Sequence, residues 1–81
     1  MTGEERAAYV NAVWQEYISR HGHERLISPI EYALARHWAV NGVPLRVVLR
    51  AFKDAGKTGR SLLYMEEPVE AAMKHWEKAM A

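Results

Sequence analysis

Four cations, Arg46, Arg50, Lys53 and Lys57, recur at i, i+4, i+7 and i+11. On a helix that spacing lines one edge with positive charge over three turns. Aligned Lys and Arg side chains neutralise several phosphates together and release their counterions, so the chemistry implied is recognition of a polyanion and not bond making. The phosphates of DNA or RNA and an acidic protein surface both fit. Arg36 and Arg60 widen the basic region, and Tyr64, close after Arg60, supplies a ring able to stack on a base. Like charges at i, i+4 repel by roughly 0.2 to 0.5 kcal/mol per pair, a cost that invites a functional reason. The plain alternative is a solvated face, with Asp54 the only acid in residues 36–60 to temper it.

The net charge of +1 conceals this asymmetry. Residues 1–35 carry three cations and five anions, residues 36–60 six and one, and residues 61–81 two and four. A basic middle between acidic flanks can also be self-complementary, with the flanks packed beside the middle and screening it.

Other groupings carry less. Gly56-Lys57-Thr58 matches the end of a phosphate-binding loop, but that motif needs a glycine where Ala51 stands and a strand leading in. His21 and His23 flank Gly22 without a third ligand, and the chain has no cysteine, so neither a stable zinc site nor thiol chemistry is expected. No spacing sets a base against a nucleophile or pairs carboxylates in a cleft. The expectation is a non-enzymatic protein with no metal and no cofactor.

The cations must be held by helices. Thr2 with Glu5 reads as a capping box opening a helix over 3–20, in which Val10, Val13, Trp14, Tyr17 and Ile18 form one buried stripe. Ser28-Pro29-Ile30-Glu31 combines a capping Ser, a first-turn Pro and a Glu placed to reach back, and starts a second helix over 29–41. Its expected apolar face is Ile30, Ala33, Leu34, His37 and Trp38, closed by Asn41-Gly42. Pro44 opens the third helix, 44–55, ended by Gly56. The short link predicts that helices two and three pack face to face through Trp38 and the Leu45, Val48, Leu49, Phe52 stripe. That places the cations about 110 to 130° from the stripe's centre.

Leu62, Leu63, Tyr64 and Met65 suggest a helical turn near 61–66. Pro68 then suits the start of a last helix, 68–80, carrying Val69, Ala72, Met73, Trp76 and Met80. All three Trp lie on apolar stripes, which predicts core packing. The result is an all-α, compact single-domain bundle of four helices spanning residues 1–81. An apolar content of 49% without any run of about 18 apolar residues points to a cytoplasmic protein with no membrane partner. A chain of 81 residues buries little area alone, so homodimerisation is an alternative source of stability.

Leu26-Ile27-Ser28-Pro29-Ile30-Glu31, Trp38, Gly42-Val43-Pro44-Leu45, Val48 and Ala51-Phe52-Lys53-Asp54-Ala55 together resemble the C-terminal domain of DnaD-type replication proteins. Gly59, Ser61, Leu62, Tyr64 and Trp76 continue the likeness, which spans about residues 26–76. The pattern is also similar to small stand-alone bacterial proteins of unknown role. The DnaD resemblance implies an all-α module that binds DNA and assists loading of a replicative helicase. The reading is therefore a nucleic-acid-binding module using its third helix. The competing one is a helical protein-interaction adaptor or homodimer.

Overall fold

A computed structural model describes residues 2–21, 26–56 and 61–80. Lys57, Arg60 and the side chains of His21 and His23 lie outside the described residues. Within them the order is α1 (Gly3–His21), α2 (Pro29–Val40), α3 (Leu45–Ala55), a 3-10 turn (Leu62–Met65) and α4 (Glu66–Met80). The chain is all-α, a four-helix bundle without a strand among the described residues.

Helix starts and stops follow local chemistry. The Thr2 hydroxyl accepts the Glu5 amide at 3.1 Å, satisfying one of the donors a helix N-terminus leaves unpaired. Ser28 and Glu31 complete a capping box at α2, with Glu31 N donating to Ser28 Oγ at 3.3 Å and Ser28 N to Glu31 Oε1 at 3.1 Å. At its other end Gly42 takes φ 73°, where a side chain would be strained. The Gly42 and Val43 amides then return to the carbonyls of Ala39 and Trp38 at 3.2 and 3.0 Å, a Schellman closure. Pro68 is the third residue of α4 and not its start, tolerable because first-turn amides have no helical acceptor to lose.

The core forms around Phe52. Its ring meets Tyr17 and Trp38 edge-on, each at a centroid distance of 6.3 Å, and Trp14 stacks on Tyr17 at 5.4 Å. Tyr9, Val10, Val13, Val48, Leu62, Met65 and Val69 close the cluster. The nearest helix pairings are α1 with α2 and α3 with α4, while α1 also lies against α3. Helices α2 and α3 are thus not the face-to-face neighbours that their short link predicts. They meet through the Trp38 and Phe52 rings, because the left-handed Gly42 redirects the chain and α1 and α4 take the adjoining faces.

The buried side of α2 also differs from expectation. Glu31, Leu34, Ala35, Trp38 and Ala39 are buried, whereas Ile30, Ala33 and His37 are exposed. The stripe is turned by about one residue because Glu31 faces inward. Its side chain is 2% exposed, and its second oxygen, Oε2, accepts Leu62 N at 2.8 Å and Ser61 Oγ at 3.3 Å. One carboxylate therefore caps α2 and also anchors the turn that launches α4. Ser61 Oγ in turn accepts the Leu63 amide at 3.2 Å.

A second polar tie crosses the core boundary. The Tyr9 hydroxyl donates to the Val43 carbonyl at 2.7 Å, and burial pushes the phenol up to about 12 from its ordinary 10. The folded state thus holds this proton more tightly than the unfolded chain, and the stability it contributes is intact below pH 10 and drains away towards pH 12. Comparing urea unfolding of the native chain and Tyr9→Phe should show a gap of about 1 kcal/mol at neutral pH, narrowing and then reversing across that alkaline window. A gap that stays constant would contradict the assignment.

Candidate nucleic-acid interface

Helix α3 is held from two sides. Val47, Val48, Ala51 and Phe52 are buried, while Leu45 and Leu49 are only half-buried. The buried face is therefore turned towards Val47 and Ala51, where α4 packs, relative to the expected stripe. Idealised helical rotation then puts Arg46 and Lys53 about 170° and Arg50 about 130° from the core centre, on average further from it than the expected stripe implies. All three are exposed.

Arg46 and Arg50 form one wall of an open groove of about 940 Å³ between α3 and α4. Its far side is supplied by Pro68, Ala71, His75 and Trp76 of α4. Small alanines at 71, 72 and 79 line the groove beside Trp76. Its ring is half-buried and not in the core as its stripe predicts, with the Arg46 guanidinium 4.3 Å from the centroid. Cation–π contact stabilises such a pair by about 0.5 to 1 kcal/mol at an exposed site. It also holds a long side chain still while leaving the in-plane N–H donors at the guanidinium edge.

Arg50 Nε lies 3.2 Å from both carboxylate oxygens of Asp54, with the side chains 71% and 63% exposed. An exposed i, i+4 pair of this kind contributes little, about 0.3 to 0.5 kcal/mol, and yields readily to a competing anion. Lys53 stands on the outer edge of α3, away from the groove lining.

Two of the other expected participants are not brought to this face. Arg36 is exposed on α2 and lines no part of the α3/α4 groove. Tyr64 is 63% exposed on the 3-10 turn and likewise lies outside the groove lining. The aromatic that does join the cations is Trp76. The sequence places Trp76 in the core with the other two tryptophans, and nothing in its neighbours marks it otherwise. Among the described residues no cluster of three His, Asp or Glu is arranged to hold a metal. No described helix is long and apolar enough to cross a membrane.

Compared with protein-family models, with curated proteins and with solved structures, the chain matches none of them.

Proposed function

We propose that the chain is a non-enzymatic, cytoplasmic nucleic-acid-binding module that grips the phosphate backbone through α3. The observation that carries this reading is the Arg46 guanidinium held over the Trp76 ring, 4.3 Å from its centroid, with exposed Arg50 and Lys53 on the same helix away from its buried face. A guanidinium already immobilised loses less entropy on meeting a phosphate, and its planar fork suits two parallel hydrogen bonds. Lys57 and Arg60 continue the basic run in the sequence. Among the described residues no base-reading set of side chains accompanies the cations, so binding is expected to be nearly independent of sequence. The resemblance to DnaD-type C-terminal domains adds a replication setting to the proposal.

Fluorescence anisotropy of labelled single- and double-stranded oligonucleotides over a salt series tests it. Three phosphate contacts give a slope of log K against log salt of about −2 to −3, and further contacts by Lys57 or Arg60 steepen it. Affinity that ignores salt, or no saturable binding to either strand form, would remove the basis for the reading.

A further inference from the structure

The opposite flank of α4 borders a second groove, of about 580 Å³, whose other wall is α2. Its character is the reverse of the first. Ile30, 64% exposed, Leu63, 42% exposed, and half-buried Met73 offer an apolar lining above the core. Along the α4 rim Glu66, Glu70 and Glu77 stand at i, i+4 and i+11, with Lys74 the one cation between them and His37 the titratable group on the α2 side.

We propose that this groove docks a basic amphipathic helix of a partner protein, seated by an apolar stripe and flanked by Lys or Arg side chains that meet the glutamates. Charge complementarity selects this occupant over the others. The acidic rim repels nucleic-acid phosphate. A two-fold dimer through the same patch would set each glutamate row against its own copy, since such an interface pairs a surface with itself. The rim from Glu66 to Glu77 runs about 16 Å along α4, three turns of helix, which matches anchors at i, i+3 or i+4, and i+7. The site is independent of the proposed nucleic-acid contact on α3, with which it shares only α4.

The probe is a synthetic helical peptide of about four turns, ~14 residues, with leucines on one stripe and lysines beside them, titrated calorimetrically into the full chain. Two controls accompany it: a peptide of identical composition with the leucines dispersed, and one with Glu replacing Lys. The striped basic peptide should bind at least tenfold more tightly than either. Glu70→Lys with Glu77→Lys should weaken it at least tenfold, as should Ile30→Ala with Leu63→Ala, whose exposed positions leave folding intact by circular dichroism. Arg46→Ala with Arg50→Ala should change it less than twofold, which separates this site from the one on α3. Equal binding of the striped and dispersed peptides, indifference to the charge reversal, or absence of binding would overturn the proposal. So would concentration-dependent dimerisation in sedimentation that Ile30→Ala with Leu63→Ala abolishes, because the groove would then belong to a second copy.

Discussion

Glu31→Ala should lower stability by about 3 kcal/mol or more and the melting temperature by roughly 12 to 24 °C, in a domain of this size. The buried carboxylate accepts Ser28 N on one oxygen and Leu62 N and Ser61 Oγ on the other. Its removal strands the Leu62 amide where the residue is fully buried, and leaves the α2 box half-made. Hydrogen bonds to charged acceptors stabilise by about 1.5 to 3 kcal/mol each, and an orphaned buried donor costs a similar amount. Water can reach Ser28, which keeps the total below the plain sum. Glu31→Gln preserves shape and one carbonyl acceptor, so it should cost clearly less. Thermal unfolding of the pair checks this, and equal losses for Ala and Gln would show that the retained acceptor and the side-chain shape contribute nothing.

Phe52→Ala should be at least as damaging, at about 3 to 5 kcal/mol, because it empties the point where α1, α2 and α3 meet. Tyr17 and Trp38 both lose an edge-on partner at the centre of the cluster. Domains commonly hold only about 0.05 to 0.15 kcal/mol per residue, or roughly 4 to 12 kcal/mol for 81 residues, so this change removes a large share of the stability of the fold. Urea unfolding followed at 222 nm should find the variant largely unfolded or with little pretransition baseline. Phe52→Leu should retain a cooperative transition. If Phe52→Ala loses under about 1.5 kcal/mol, the meeting of the three helices at that ring is not what holds them together.

What could be read in advance was whatever depends on neighbours in sequence. Ser28-Pro29-Ile30-Glu31 announced a helix start because every partner in a capping box lies within four residues, and Gly42 and Gly56 marked ends because a positive φ is a local requirement. The stripe of α1 was legible for the same reason. The inward turn of Glu31 was not, since it depends on Ser61 and Leu62, about thirty residues on. The same distance hid the rotation of α3 towards Val47 and Ala51: those residues are buried by α4, whose position the sequence of α3 does not encode. Arg46, Arg50 and Lys53 do face water on α3, while Lys57 lies outside the described residues. Their aromatic companion was not legible, because the exposure of Tyr64 and the half-burial of Trp76 both depend on how α4 leaves the turn. Arg36 was joined to the cluster by proximity in sequence alone, and the Schellman closure after α2 separates the two helices.

The proposed affinity for nucleic acid rests on geometry on α3 and not on net charge. It is tested most directly by titrating one labelled oligonucleotide with three proteins: the native chain, Arg46→Ala with Arg50→Ala, and Lys74→Ala with Lys78→Ala. Both double variants lose the same charge. The account predicts that the α3 pair weakens binding at least tenfold and makes the slope of log K against log salt shallower by about 1.5 to 2, while the α4 pair stays within about twofold of native, as expected for charges lying outside the Arg46 and Arg50 groove. Equal losses in the two variants, or no loss in either, would contradict it.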